Sequence, residues 1–198
     1  MTNKVLIPEM DGTPEQICFA DHATDFSPTA ANDLRFSTPT SSQILLESVA
    51  SVTTVATTTG ARASAKVDLG AVRAARYKIR AALEFAATPT AGNTVEFYWA
   101  PSSSATAATG NAGGVSGSDA AYTGYSSNND ASLVQLELIG VMVTTAQATG
   151  TVQVAECGEF SPTERYGTLV VRNKSGAAIH SDSVECHIVF DPIVDQIQ

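Results

Sequence analysis

From Arg76 to Ala86 the chain alternates between apolar and polar residues. Tyr77, Ile79, Ala81, Leu83 and Phe85 take one parity; Arg76, Lys78, Arg80 and Glu84 take the other. Successive side chains of a strand point to opposite faces, so a period of two residues marks a strand with one face on a core. The pattern recurs at Thr94–Ala100, with Val95, Phe97 and Trp99 in phase. It recurs again at Val184–Phe190, with Cys186, Ile188 and Phe190 inward and Glu185 and His187 outward. Further strands are predicted over Ile44–Val55, Arg62–Leu69, Leu133–Thr145, Thr151–Phe160 and Tyr166–Asn173, separated by Gly, Pro and Asn turns. The apolar phase slips near Gly140, which predicts a bulge. Only Ala71–Ala75 offers a short helix. The sum is an all-β chain, read as an eight-stranded antiparallel β-sandwich of jelly-roll type. Its expected core is Tyr77, Ile79, Leu83, Phe85, Val95, Phe97, Trp99, Leu136, Leu138, Leu169, Val171, Cys186, Ile188 and Phe190.

Residues 1–41 read as an extended N-terminal arm, with the sandwich in residues 42–198. Pro8, Pro14, Pro28 and Pro39 each remove a donor and push the preceding residue towards extended backbone. Val5, Leu6, Ile7, Ile17, Phe19, Phe26 and Phe36 are too apolar for a solvated tail and too scattered for a core of their own. They are therefore expected to lie on an apolar surface, either that of a neighbouring subunit or that of the chain's own domain.

Between the strands at Thr94–Ala100 and Leu133–Thr145 lies a long loop, residues 101–132, built from small and neutral residues. Loops longer than about 12–15 residues in compact domains are functional or disordered. This one holds no Lys, Arg, His or Glu. Its tyrosines, Tyr122 and Tyr125, are the expected anchors on a partner, since tyrosine offers large contact area at low entropic cost. The loop is expected to become ordered through those contacts.

Charge and motif exclude several classes of function. A net charge of −9 argues against binding nucleic acid through its phosphates. Arg62, Lys66, Arg73, Arg76, Lys78 and Arg80 form a local basic stretch, read as a solvated strand face or a docking patch for an acidic neighbour. Cys18, Cys157 and Cys186 have no metal-site spacing and give no disulfide framework. No apolar run reaches membrane-spanning length, and the N-terminus lacks the apolar stretch of a signal peptide. Gly113–Gly117 is not a nucleophile elbow, and Gly110–Gly114 precedes no Gly-Lys-Ser/Thr. Asp119, Asn128, Asn129 and Asp130 fit no known calcium loop. Tyr98, Trp99, Tyr122 and Tyr125 would suit a sugar-stacking platform, although Trp99 shares its parity with the core. No catalytic residue, metal or cofactor is expected.

The run Glu96-Phe-Tyr-Trp-Ala-Pro-Ser102 and the Ala/Thr/Gly/Ser stretch Ala105–Gly124 resemble virion structural proteins of tailed bacteriophages. Among these the chain looks most like a jelly-roll capsid decoration, or cement, protein. The resemblance covers roughly residues 94–190. It implies a non-enzymatic role on the capsid exterior, binding the major capsid protein and bracing the assembled shell, often as a homotrimer made in the host cytoplasm. The alternative is a carbohydrate- or receptor-binding module of a phage tail or fibre.

Overall fold

The computed structural model describes residues 4–5, 9–10, 13–14, 16–21, 23–28, 31–36, 39–52, 60–71, 73–125, 129–180, 186–193 and 196–197. The principal strands are β1 (Ile17–Ala20), β2 (Thr40–Gln43), β3 (Ala61–Ala63), β4 (Val67–Asp68), β5 (Arg76–Leu83) and β6 (Thr94–Ser102). They continue with β7 (Ala120–Ala121), β8 (Glu137–Val143), β9 (Gln153–Phe160), β10 (Tyr166–Asn173) and β11 (His187–Ile193). Among the described residues one short α-helix, α1 (Asn129–Leu133), forms, just before β8. Near the termini, Lys4–Val5 pairs with Gln196–Ile197, and Glu9–Met10 with Thr13–Pro14.

Two sheets pack face to face. One runs β7-β3-β10-β6-β8, with β4 also on β10; the other runs β9-β5-β11-β1-β2. All pairs are antiparallel except β1 with β2. Along the chain, β3, β10, β6 and β8 make the first sheet, while β9, β5, β11 and β1 make the second, so successive strands cross between sheets as in a jelly roll.

Period-2 patterning built the interior as expected. Trp99 stands opposite Leu169, Phe97 opposite Val171, and Ile79 opposite Phe190. These side chains are fully buried between the sheets. Phe190 is the hub. Its ring lies 4.7 Å from Phe19, 5.0 Å from Phe160, 5.8 Å from Trp99 and 6.4 Å from Tyr77. Such tilted and edge-on pairs are worth about 0.5–1.5 kcal/mol each beyond the area they bury. The predicted bulge is present. The β8–β6 register shifts between Leu138 and Gly140, which turns Ile139 inward and leaves Leu138 on the surface. Leu136 and Leu138 are thus the two expected core positions that lie outside the inter-sheet core. Leu136 packs on the opposite face of the first sheet.

The N-terminal boundary is corrected. Ile17–Ala20 is not part of an arm but the strand between β11 and β2, buried on both faces. Described residues from Gln16 onward belong to the sandwich, and the stretches 23–28 and 31–36 lie across the outer face of the second sheet. There Phe26 and Leu34 pack on Cys18, Ala20 and Val189. Gln16 Nε2 donates to the Leu34 carbonyl and to Asp191 Oδ1, both at 2.7 Å, and the Leu34 N–H donates to His187 Nε2 at 3.1 Å. His187 does face outward from its strand, but this covering buries it. The predicted strand Ile44–Val55 is replaced, over its described part, by β2 just before it and a 3₁₀ turn at Leu46–Ser48. The predicted strand from Leu133 starts only at Glu137, because α1 occupies the preceding turn. No helix forms among the described residues of Ala71–Ala75.

Gly167 on β10 lies under the Trp99 ring, where an added Cβ would come within 2.0 Å of the indole. Gly167→Ala should therefore destabilise the fold by about 1–3 kcal/mol through overpacking. Urea denaturation followed by Trp99, the sole tryptophan, measures this. A variant at least as stable as the parent would show that the indole is not held against the strand.

Candidate interaction surface

The long loop folds back on its own domain. Val115, Tyr122, Leu133 and Leu136 cover Ala61, Ala63, Ala100 and Val170 on the outer face of the first sheet. The Tyr122 hydroxyl donates to the Gly113 carbonyl at 2.7 Å, and burial pushes its phenol up to about 12. Around residues 102–109 the organiser is Lys66. Its ammonium donates into a ring formed by Ser102 Oγ (2.8 Å) and the carbonyls of Ser104 (3.0 Å), Thr106 (2.7 Å) and Thr109 (2.9 Å). Gly117, at φ +73°, passes so close to Ala107 that a Cβ would sit 2.0 Å from the Ala107 oxygen. The expectation that this loop needs a partner to become ordered is thereby overturned. Asp119 is held by Arg62 and Asp130 by Arg172, so neither stands free for a cation.

The residues expected to touch a partner separate into three groups. Ile17 and Phe19 lie in the core, Tyr122 is sealed under the loop, and Phe26 rests half-buried on its own sheet, so their apolar surface already has an internal partner. Phe36 and Tyr125 are half-exposed. Leu6 and Ile7 lie outside the described residues, as does the side chain of Val5. Of the four aromatics weighed as a sugar platform, Trp99 and Tyr122 are buried, leaving Tyr98 and Tyr125.

The basic stretch is not an open docking patch. Arg76, Lys78 and Arg80 face Glu159 (3.8 Å), Glu156 (3.1 Å) and Asp191 (2.5 Å) on the strands either side of β5. Arg62 is taken by Asp119, Lys66 by the loop carbonyls, and Arg73 Nη2 donates to the Thr163 carbonyl. The cross-strand register that puts acids opposite these bases is what cancels the patch.

What remains open is a groove of about 700 Å³ on the outer face of the first sheet, between α1 and β8. Its floor is polar. Arg172, wholly buried, donates to Asp130 Oδ1 at 3.1 Å; Lys174 and the Tyr98 hydroxyl both donate to Glu96 at 2.9 Å. Burial first, and the bond to Glu96 second, push the Tyr98 phenol upward. Positive and negative groups on this floor cancel pairwise. Its rim is apolar: Val134 is 83% exposed and Leu138 53%. The rim was missed in sequence because Val134 and Leu138 sit in a run read as a buried strand. Arg172 was missed because an outward-phase arginine reads as solvated. Such a groove offers an apolar seat edged by hydrogen-bonding groups, within the size range of ligand sites. No disulfide joins the cysteines among the described residues, and burial raises the thiol pKa of Cys18 and Cys157, so both stay protonated.

Comparison with protein families, curated proteins and solved structures finds no match to the chain.

Lys66→Met should free residues 102–109 while leaving the sandwich folded. The loop has no Lys or Arg, so limited proteolysis with a broad-specificity protease is the measurement. Unchanged chain should resist cleavage between 103 and 125, and the variant should be cut near 104–109. Equal resistance in both would show that the ammonium is not what holds the loop.

Proposed function

We propose that this protein is a virion structural protein that binds and stabilises an assembled bacteriophage capsid shell. The observation that carries the reading is the groove rim, where Val134 and Leu138 stay exposed beside a charge-balanced floor. Exposed apolar surface rimmed by polar groups marks a contact with another macromolecule. The resemblance of roughly residues 94–190 to phage virion proteins supplies the kind of partner, the major capsid protein. A β-sandwich whose strands cross between its two sheets fits the same reading, since capsid proteins use that architecture.

Binding on this account needs no chemistry. Apolar area yields about 25 cal/mol per Å² before the costs of association. Repetition on a closed shell then gives weak single contacts a strong collective hold. A second reading, a carbohydrate-binding module, draws on one specific feature. Tyr98 lies half-buried beside Leu138, its hydroxyl bonded to Glu96, and a ring so placed could stack on a sugar.

Co-sedimentation with purified shells lacking the protein tests the first reading. Unchanged chain should saturate the shells, and Val134→Asp with Leu138→Asp should weaken binding about tenfold or more, since each buried side chain contributes about 1.5–3 kcal/mol. Failure of the unchanged chain to bind shells, together with specific signals on a glycan array, would transfer the groove to the second reading.

A further inference from the structure

We propose that His187 is an acid-sensitive latch for the segment that covers the second sheet. The inference goes beyond attachment to a shell and does not depend on it. His187 stands on the outer face of β11 and is 1% exposed. Its Nε2 accepts the Leu34 N–H at 3.1 Å, which ties residues 31–36 to the sheet. A ring nitrogen that accepts carries no proton, so the closed cover holds the neutral imidazole. Protonation turns that acceptor into a donor. The Leu34 N–H then faces a second N–H in a buried place, and a buried amide that loses its acceptor works against the closed arrangement.

The charges around the ring are already matched. Asp33 Oδ1, on the cover, lies 3.5 Å from Nε2, but it accepts from Arg35 Nε at 2.7 Å and from the Arg35 N–H at 3.0 Å. Asp33 Oδ2 pairs with Arg35 Nη2. Asp191, on the same strand as His187, pairs with Arg80 of β5 and accepts from Gln16. Just past β5, Glu84 meets His180 at 3.6 Å. On β1, Cys18 is a neutral thiol. Beyond it burial, with Asp21 and Asp25 nearby, holds the Glu47 carboxyl above its usual range, so acid relieves repulsion there. A proton on His187 instead adds a buried positive charge beside pairs that already balance. Once the cover lifts, the imidazole is solvated and takes a proton near its ordinary value of about 6.5. The open state thus binds more protons than the closed one, and the cover begins to lose its hold as pH falls below that value. Opening lifts Phe26 and Leu34 from Cys18, Ala20 and Val189, so the chain presents a new apolar face in mild acid.

Cys18, wholly buried beneath those two side chains, reports the opening. The full chain is treated with a pyridyl disulfide, the labelled cysteine is read by mass spectrometry, and each rate is divided by that of the urea-unfolded chain at the same pH. On this scale Cys18 should react about tenfold faster at about pH 5.5 than at about pH 7.5, the gain that one proton gives over that span. Cys157, Cys186 and Trp99 emission should not change with it. His187→Gln keeps an oxygen that can accept the Leu34 N–H but takes no proton, so its Cys18 rate should be flat. His180→Gln and His22→Gln should keep the response. Should His187→Gln fail to fold, hydrogen exchange of the Leu34 amide in the unchanged chain decides, since it should speed up over the same range relative to the unfolded chain. A Cys18 rate that is flat in the parent, a folded His187→Gln chain that responds to acid as the parent does, or an unmoved Leu34 exchange rate would each overturn the proposal.

Discussion

The packing of Phe190 against Phe19, Tyr77, Trp99 and Phe160 is the contact on which the rest of the structure depends. These rings come from strands of both sheets and fill the space between them. With the sheets locked together, each still has an outer face that is partly apolar. The chain covers both with its own irregular segments. Residues 23–28 and 31–36 lie over one face, held by buried side chains such as Gln16 and His187. The long loop lies over the other, held by Tyr122 and Lys66. What looks like an arm and an insertion is thus a pair of covers. The groove beside α1 is one place where covering stops.

Much of this fold was legible wherever one face of a strand is wet. β5, β6 and β11 alternate cleanly, and the inter-sheet core follows from their parity. The bulge at Gly140 announced itself as a phase slip. β1 was hidden because all four of its residues are buried, so it shows no alternation, and because prolines on either side marked it as irregular. The order of the long loop was hidden for a different reason. It rests on contacts between residues distant in sequence, above all Lys66 with Ser104, Thr106 and Thr109, and no local pattern reports them. Of the candidate surface, the apolar residues of the groove rim are plain in the sequence, but the exposure of Val134 and Leu138 is a fact of tertiary structure.

Electrostatics divides the molecule in two. Pairs such as Lys78–Glu156 and Arg76–Glu159 have side chains 36–59% exposed, and pairs of that kind contribute about 0–1 kcal/mol. Arg172–Asp130 and Arg35–Asp33 have a fully buried guanidinium, and loss of one partner there would strand a charge without water. The first group trims the surface charge of the second sheet. Of the second group, Arg172–Asp130 ties α1 to the first sheet, while Arg35–Asp33 braces a covering segment from within.

The ring of oxygens around Lys66 is the arrangement in which loops elsewhere hold a metal ion. Here the cation is attached to the chain by a covalent stem. It cannot dissociate, be diluted, be exchanged for another ion or be withdrawn by a chelator. The hold on residues 102–109 therefore draws on no metal ion from the surroundings.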